Sequence, residues 1–370
     1  MTFTAPLRAF AYWEKNTPNQ LMFHQPFMQG PIKMSYQEAG IEIRKLAQAL
    51  INLDYAPKSK IALLSKNCSH WIMADLAIQM AGHISVPIYP TINADSITQI
   101  MTHSDSKAII IGKLDNYETQ KSGLKDFVKI GIKAYQIEEK LSWEDMVESS
   151  EALEELPDQK AEDLLTIMYT SGTTGSPKGV MHSVSSFTEV TNTAVKAIGL
   201  KIKKPRFFSY LPLTHIAERI GIEMFGLYQG GSFNFPLSIE TFADDLASTQ
   251  PDLFFAVPRI WTKFQGRILN TIPQKKLNIL LKIPILNSII RKKIKKKLGL
   301  LDTQCIFTGA APISISQLIW FQRLDINICQ AYGLPEDCIL SHFNLPGNNK
   351  FGSVGKPLGN VQIKFSSQGE

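Results

Sequence analysis

The stretch YTSGTTGSPKGV, residues 169–180, decides the fold of this 370-residue chain. It contains three glycines, five Ser or Thr hydroxyls and one lysine, and it follows the apolar run Leu164–Tyr169. Glycine lets the backbone adopt positive φ and bring its N–H groups close to anionic oxygens. Hydroxyls donate to phosphate or reach a metal, and a lysine supplies a point charge. The composition therefore predicts a polyphosphate-binding loop at the end of a buried strand.

Two other interpretations of this loop fit the sequence less well. Ser/Thr/Gly runs are often disordered linkers, but a strand-like run precedes this one and a helix-like pattern, residues 182–198, follows it. The P-loop of kinases and GTPases has Gly immediately before its Lys and Ser or Thr immediately after it. Here Pro177 precedes Lys178 and Gly179 follows it. A different nucleotide-binding loop is indicated.

Six blocks, in one order along the chain, carry a resemblance to a known family. Besides YTSGTTGSPKGV, the blocks are LPLTHIAER (Leu211–Arg219), VPRIW (Val257–Trp261), TGAAPI (Thr308–Ile313), QAYGLPE (Gln330–Glu336) and GSVGKPL (Gly352–Leu358). Together they resemble the AMP-forming acyl-CoA synthetase, luciferase and peptide-synthetase adenylation superfamily. The resemblance extends from about Tyr36 to the last residue, and LPLTHIAER is most similar to long-chain fatty acid-CoA ligases.

The resemblance implies a binding site for ATP and Mg²⁺. It gives the phosphates to the glycine-rich loop, adenine to the TGAAPI and QAYGLPE blocks, and Mg²⁺ to Thr170 and Glu336. The implied nucleotide-binding residues are Thr170, Ser171, Gly172, Thr173, Thr174, Gly175, Lys178, Gly309, Ala310, Ala311, Gln330, Ala331, Tyr332 and Gly333. The small residues 309–311 leave room for a flat purine, and Tyr332 offers an aromatic face. Close packing between a strand and its following helix is the ordinary alternative for residues 309–311.

The same resemblance implies a two-step reaction with a fatty acid and coenzyme A as co-substrates. A carboxylate attacks the α-phosphorus of ATP to give acyl-adenylate and pyrophosphate, and the thiol of coenzyme A then displaces AMP. The implied catalytic residues are His215, Lys178 and Glu336, and the implied substrate pocket is formed by His215, Arg219, Val257 and Arg259. Taken alone, His215 reads equally well as a histidine at the start of a helix, and VPRIW as a strand end followed by a helix.

One residue of the QAYGLPE block departs from the family pattern. Family members usually carry Thr or Ser before the glutamate, and its hydroxyl contacts the α-phosphate. Here that position is Pro335, which offers neither a hydroxyl nor an N–H. A non-catalytic module that binds ATP or acyl chains is therefore the alternative to an active ligase.

The chain alternates helical patterns with short β-branched runs, which predicts parallel sheets with helices on their faces. We expect an α/β fold with two stacked αβ subdomains, residues 1–160 and 161–337, and an incomplete small β-barrel-like unit at 338–370. Each nucleotide motif lies near the carboxyl end of a predicted strand, where ligands bind in open sheets. The family's later TGD block, arginine and lid domain with its lysine have no counterpart in the 370 residues. We expect the large domain of a ligase, either weakly active alone or completed by a separate carboxyl-terminal domain.

Composition narrows the remaining possibilities. The chain has 44% hydrophobic residues and four cysteines without a CxxC pair, which favours a large core with reduced thiols in the cytoplasm. We find no signal-peptide pattern, no apolar stretch of ~18 residues and no zinc-like His and Cys spacing.

Much of the net charge of +6 comes from residues 275–297, which end in RKKIKKK. Apolar residues between cationic flanks fit peripheral contact with an anionic membrane. The alternative is a pair of surface helices, broken near Pro284, that turn their apolar faces inward and leave the lysines in water. Nucleic acid is not an expected partner, because no aromatic residues interleave with the lysines.

Overall fold

The protein is described by a computed structural model that covers residues 1–170 and 177–368. Within these ranges the strands are β1 (Leu21–Gln25), β2 (Ile32–Ser35), β3 (Lys60–Leu64), β4 (Ile84–Ile88), β5 (Ser106–Ile111), β6 (Val128–Gly131), β7 (Leu141–Ser142), β8 (Leu164–Thr170), β9 (Lys178–Ser183), β10 (Arg206–Phe208), β11 (Ser232–Asn234), β12 (Leu253–Phe255), β13 (Cys305–Thr308), β14 (Ile328–Tyr332), β15 (His342–Phe343) and β16 (Lys356–Pro357).

The helices of the same ranges are α1 (Pro6–Asn16), α2 (Tyr36–Ile51), α3 (Ser69–Met80), α4 (Ala94–Ser104), α5 (Trp143–Glu148), α6 (Val184–Ile198), α7 (Ile216–Glu218), α8 (Phe225–Gln229), α9 (Phe242–Thr249), α10 (Pro258–Thr271), α11 (Gln274–Leu280), α12 (Pro284–Lys297) and α13 (Ile315–Gln322). A π-helical segment, Arg219–Met224, joins α7 to α8 without a break. Short 3₁₀ turns lie at Tyr117–Thr119, Lys121–Leu124, Lys133–Tyr135 and Pro335–Asp337.

Seven strands form the first sheet, in the order β7-β6-β5-β3-β4-β8-β9. All neighbouring pairs are parallel except β8 and β9, which are antiparallel. The sequences of β3, β4 and β5 are nearly continuous apolar runs and their side chains are buried, as expected for strands covered on both faces. The predicted alternation of strands and helices in residues 36–112 is confirmed.

Nine strands form the second sheet, in the order β16-β15-β14-β13-β12-β10-β11-β1-β2. Its centre, from β14 to β1, is parallel, and β2, β15 and β16 pair antiparallel at its two edges. The α/β fold with two mostly parallel sheets is thus confirmed. The last strands do not close a barrel within the described residues, because β15 and β16 continue the edge of this sheet.

Strand pairing crosses the predicted boundary at residue 160 in both directions. The hairpin of β1 and β2 joins the second sheet, whereas β8 and β9 join the first. The helix predicted from residue 182 begins two residues later, because Lys178–Ser183 pairs with β8 as a strand. The hydroxyl of Ser183 then caps α6 by accepting from the Ser186 N–H at 3.1 Å.

A fully buried arginine ties the first sheet to the helix that follows His215. The guanidinium of Arg219 donates to the carboxylate of Asp75 on α3, to the Thr166 hydroxyl on β8 at 2.9 Å and to the Ser85 hydroxyl on β4 at 3.1 Å. It also lies over the ring of Trp71, 5.4 Å from the centroid. One side chain therefore joins two strands and a helix to the π-helical segment.

Replacing Arg219 by Met should lower the free energy of unfolding by about 3–5 kcal/mol, because Asp75 would be left buried without its cation. Adding Asp75→Asn should recover part of that loss. Lys133→Met is the matched control, since its ion pair with Asp145 is exposed and should contribute at most about 1 kcal/mol. Urea denaturation measures the free energy of unfolding of the wild type and of the three variants. If Arg219→Met and Lys133→Met lost equal amounts, the buried ion pair would not have the stabilising role assigned to it.

Candidate active site

The glycine-rich loop connects two antiparallel strands. Thr170, the last residue of β8, pairs with Lys178, the first residue of β9, so both ends of the loop are fixed opposite each other. The predicted phosphate-binding residues Ser171, Gly172, Thr173, Thr174 and Gly175 lie outside the described residues. The Lys178 side chain is exposed and makes no hydrogen bond or ion pair with the described part of the chain. It is therefore available to a ligand at this edge.

An apolar cavity of about 700 Å³, including its opening to solvent, lies at the carboxyl ends of the second sheet. Three parts of the fold line it. The second sheet and α6 contribute Ala194, Ile198, Leu253, Phe255, Phe307, Ala331, Tyr332 and Phe343, and the helix after His215 contributes Ala217, Ile220, Gly221 and Phe225. The turns contribute His215, Gly309, Ala310, Gly333, Ile339 and Leu340. Only His215 and Tyr332 bring polar side-chain atoms. The structure thus brings together six of the predicted site residues around one cavity.

Two turns at the cavity hold unusual backbone conformations. Ala310, directly after β13, has φ +63°, and Ile339 has φ +60°, a conformation that is rare for a β-branched residue. The Ile339 backbone packs so close to Gly333 that a Cβ on Gly333 would lie 2.3 Å from the Ile339 Cα. Such conformations persist where the surrounding structure enforces them, often at ligand sites.

His215 is held in one tautomer by the helix that it starts. Its Nδ1 accepts from the Ala217 N–H at 3.1 Å, so in the neutral ring Nε2 carries the proton. Burial lowers the pKa of His215 below its usual value, which keeps the ring neutral at neutral pH. The side chain also lines the cavity. His215 can therefore present an N–H donor to a ligand while it caps the helix.

Glu336 lies close to the strand that begins at Lys178. Its side chain is exposed on the 3₁₀ turn Pro335–Asp337 and makes no hydrogen bond or ion pair with other described residues. Its charge acts on His182 of β9, whose pKa falls to about 4 mainly through burial and, to a lesser degree, the charge of Arg219. Among the described residues, the carboxylate thus has no partner, and it lies near the edge that carries the glycine-rich loop.

This arrangement fits Mg²⁺ held largely by phosphates. Mg²⁺ commonly takes one or two protein oxygens and completes its shell with phosphate and water. Glu336 and the half-buried Thr170 can supply a carboxylate and a hydroxyl. In residues 1–170 and 177–368 no group of three or more His, Cys, Asp or Glu could hold a metal ion.

Besides Thr170, Lys178, Arg219 and Glu336, four predicted residues do not line the cavity. Ala311 is exposed beyond the TGAAPI turn, and the Gln330 side chain accepts from the Gly352 N–H at 3.3 Å. Val257 caps α10, and Arg259 points into solvent on its first turn. The VPRIW region reaches the cavity through the preceding Phe255 instead.

Arg219 does not occupy the place that the sequence predicted. We expected it in the acyl pocket, but its side chain is fully buried in the contacts with Asp75, Ser85 and Thr166. It faces the first sheet, whereas the cavity lies beside the second. The residue supports the helix that lines the cavity and does not itself line it.

The family model for the AMP-binding enzyme matches residues 10–369. The chain belongs to this family. Long chain acyl-CoA synthetase 5 of Arabidopsis thaliana is 29% identical over 377 residues, which cover 90% of this chain and 56% of that protein. The chain thus spans little more than half the length of this relative.

Solved structures with the same fold include CoA ligases. The anthranilate CoA ligase AuaEII in complex with anthranoyl-AMP superposes with a TM-score of 0.79 at 18% identity, over 99% of this chain and 66% of that one. The inhibitor-bound N-terminal domain of FACL13 from Mycobacterium tuberculosis gives 0.75 at 20% identity, over 96% of this chain and 83% of that one. Membership of the AMP-binding enzyme family therefore agrees with the observed sheets.

Some residues of this AMP-binding enzyme's site were missed from the sequence. Ile220, Gly221 and Phe225 follow His215 on the same helix and line the cavity, and the apolar run after LPLTHIAER was the signal that could have indicated them. The contact between His182 Nδ1 and Cys338 Sγ, at 3.3 Å, had no such signal. It joins the strand after the phosphate loop to the turn that holds Glu336.

Two buried glutamates flank Arg219 in this family member. Oε1 of Glu218 accepts from the Ser209 hydroxyl at 2.8 Å and the Tyr210 N–H at 2.9 Å, whereas Oε2 has no partner among the described residues. Burial raises the pKa of Glu218 to about 8. Burial also raises the pKa of Glu223 well above its usual value. A protonated Glu218 adds no charge to the ion pair of Arg219 and Asp75.

The raised pKa of Glu218 makes stability depend on pH. The native state binds this proton more tightly than the unfolded chain, so its stabilising effect is complete below the unfolded pKa of about 4.5 and is lost as pH rises through about 8. Glu218→Gln should remove this dependence. Between pH 5 and pH 8 the free energy of unfolding of the wild type should fall, relative to that of the variant, by about 1 kcal/mol per pH unit.

Urea denaturation at several pH values measures the difference. Glu118→Gln is the control, because the Glu118 side chain is 80% exposed and its removal should leave the pH slope unchanged. A constant difference between Glu218→Gln and wild type across the range would contradict a buried, protonated Glu218.

Proposed function

We propose that this chain activates a long-chain fatty acid with ATP, forming an acyl-adenylate and then an acyl-CoA. The observation that carries the proposal is the apolar cavity that opens beside His215, the small-residue turn at 309–310 and residues 331–333 at the end of β14. The apolar lining of the cavity suits a hydrocarbon chain. The polar atoms of His215 and Tyr332 suit a carboxylate and a nucleotide. The relatives named long chain acyl-CoA synthetases support the same substrate class.

The acid and ATP meet at the mouth of the cavity. The acyl chain occupies the space between the second sheet and the helix after His215, where water is excluded. The Nε2–H of His215 donates to the carboxylate or to the α-phosphate oxygens. Adenine lies against Gly309 and Ala310, with the Tyr332 ring on its other side.

In the first step a carboxylate oxygen forms a bond to the α-phosphorus and the bond to the β-phosphate oxygen breaks, releasing pyrophosphate. Lys178 and the glycine-rich loop bind the phosphates. Glu336 and Thr170 would hold Mg²⁺, which would supply further charge neutralisation when bound. Catalysis of this kind rests on placing the two reactants in line and compensating the developing charge.

In the second step the thiol sulfur of coenzyme A bonds to the acyl carbon, the bond to AMP breaks and the thiol proton is lost. This step is proposed for the whole protein, because the chain spans only 56% of the length of its relative. The four buried free thiols, at 68, 305, 329 and 338, favour a reducing compartment such as the cytoplasm.

Pro335 favours a second candidate, a module that binds ATP and acyl chains without turnover. It is the first residue of the 3₁₀ turn that carries Glu336, at the position where the family usually offers a hydroxyl to the α-phosphate. Exchange of labelled pyrophosphate into ATP, with acids of 4 to 18 carbons as the added substrate, separates the candidates. Acid-dependent exchange supports the ligase; saturable ATP binding without exchange supports the binding module.

His215 allows the site's chemistry to be separated from helix capping. His215→Asn keeps a side-chain acceptor for the Ala217 N–H but loses the Nε2–H at the cavity, whereas His215→Ala loses both. We expect exchange to fall on the order of 10²-fold in both variants. Only His215→Ala should also lose about 1 kcal/mol of stability in thermal unfolding. Normal exchange in the stable Asn variant would remove His215 from the mechanism.

Gly221 tests the acyl end of the cavity. A Cβ on this residue would meet no atom within 4 Å, so Gly221→Phe places a ring in the cavity without a backbone clash. In this variant we expect the exchange rate with acids of 14 to 18 carbons to fall at least tenfold more than the rate with a 4-carbon acid. If the chain does not catalyse exchange, the affinity for long-chain acyl-adenylate analogues should fall by the same factor relative to short-chain ones. Gly266→Phe, on the exposed side of α10 with equal space, is the matched control. Equal losses for all chain lengths would place the acyl group elsewhere.

A further inference from the structure

The helical hairpin formed by α11 and α12, residues 274–297, differs from the rest of the surface in charge. Residues 253–301 contain twelve of the chain's 39 Lys and Arg and none of its 33 Asp and Glu. The remaining residues carry 27 cations and 33 carboxylates, so they are net negative although the chain is net positive. Cationic charge is therefore concentrated on one segment.

The same hairpin exposes apolar side chains. Ile279, Ile283, Ile285, Leu286 and Ile289, within eleven residues, are 38–77% exposed. They are five of the 21 large apolar side chains that are exposed in the described ranges. The expected inward-packing helices are confirmed only in part, because Leu277 and Ile294 enter the core while these five face water.

Seven lysines border this apolar tip. Lys275 and Lys276 precede it, Lys282 lies within it, and Lys292, Lys293, Lys296 and Lys297 follow it, all with exposed side chains. The base of the hairpin is fixed, because Gln274 accepts from the Trp320 indole N–H at 2.8 Å and Asn278 from Arg323 at 2.6 Å. The tip is thus held outward by a rigid attachment.

A basic depression lies along α12 beside the tip. It has an open volume of about 910 Å³ and is lined by Arg291, Lys292, Lys295 and by one carboxylate, Asp325, which pairs with Lys295 at 3.0 Å. The Nε of Arg291 is buried without a hydrogen-bond partner among the described residues. Three cationic side chains against one carboxylate give the depression a net positive lining, which suits an anionic phosphate group.

We propose that the hairpin α11–α12 docks this chain on an anionic lipid bilayer, with the isoleucine tip inserted at the headgroup boundary and the lysines on lipid phosphates. Peripheral segments of this kind combine buried apolar area with attraction to anionic lipid. The surface serves this role whether or not the proposed ligase reaction holds. No helix in the described part of the chain is long and apolar enough to cross a bilayer.

Two other partners fit these observations less well. A nucleic acid would leave the isoleucines without a role, and residues 274–297 contain no aromatic side chain to stack on bases. A second copy would bring seven exposed lysines against the same seven across a two-fold axis, with no carboxylate in the segment to compensate them. The bilayer accommodates both the charge and the apolar tip.

Flotation of the 370-residue chain with vesicles tests the proposal. We expect binding to vesicles of 70% phosphatidylcholine and 30% phosphatidylglycerol, little binding to pure phosphatidylcholine, and weaker binding at 500 mM salt than at 50 mM. The double variant Ile285→Ser, Ile289→Ser keeps the charge and should lose roughly tenfold or more in partitioning. Replacing Lys292, Lys293, Lys296 and Lys297 by Gln should lose on the order of 10²-fold at low salt.

The control is Ile41→Ser with Ile51→Ser, two exposed isoleucines on α2, which should bind as wild type does. An environment-sensitive dye on Ile285→Cys should shift to the blue on anionic vesicles, whereas it should not on neutral ones. Circular dichroism confirms that each variant is folded.

Three results would overturn the proposal. The first is that the folded wild type does not float with anionic vesicles. The second is that the serine variant at 285 and 289 floats as well as wild type, so that the tip does not insert. The third is that vesicle binding is absent while the chain binds a DNA duplex or forms a dimer, and the serine variant loses that DNA binding or dimer.

Discussion

The pairing of Arg219 with Asp75 is the constraint on which the candidate site depends. Both side chains are fully buried, and the guanidinium also bonds strand hydroxyls of β4 and β8. Two charges removed from water are tolerated only when their partners are complete, so the helix carrying Arg219 has one acceptable position against the first sheet. That helix begins at His215 and forms a wall of the cavity on its other side. The ion pair packed against the first sheet thus fixes one wall of the cavity beside the second sheet.

The π-helical segment explains how one helix serves both faces. Ala217, Gly221 and Phe225 line the cavity at intervals of four, while Arg219 and Glu223, also four apart, point to the buried cluster. In a regular α-helix, four residues overshoot one turn by about 40°, so both rows would rotate away from their partners. The i→i+5 hydrogen bonds of Arg219–Met224 widen the turn and bring residues four apart nearly into line.

The sequence predicted most of the fold through local patterns. Continuous apolar runs such as Ile61–Leu64 identified the buried strands. Gly309, Ala310 and His215, which the family resemblance assigned to one site, line the same cavity. What it could not predict depends on contacts distant in the chain. The short strands β1 and β2 are joined by a segment that contains proline and glycine, and β1 pairs with β11, some 200 residues away. Strand β8 likewise pairs with β4 across the predicted boundary. Arg219 was assigned to the pocket because no sequence pattern shows the register shift of a π-helical segment.

The turn from Gly333 to Leu340 connects the apolar cavity to the strand that follows the glycine-rich loop. It carries Glu336 toward β9, and its Ile339 lines the apolar cavity in a strained conformation that the absent Cβ of Gly333 permits. Cys338, between them, is fixed to His182 by a contact to a neutral imidazole. A shift of the Glu336 carboxylate would therefore displace Ile339 and, through Cys338 and His182, also β9. Because these contacts share one short turn, a displacement at the cavity and a displacement at the Glu336 carboxylate would pass through the same backbone.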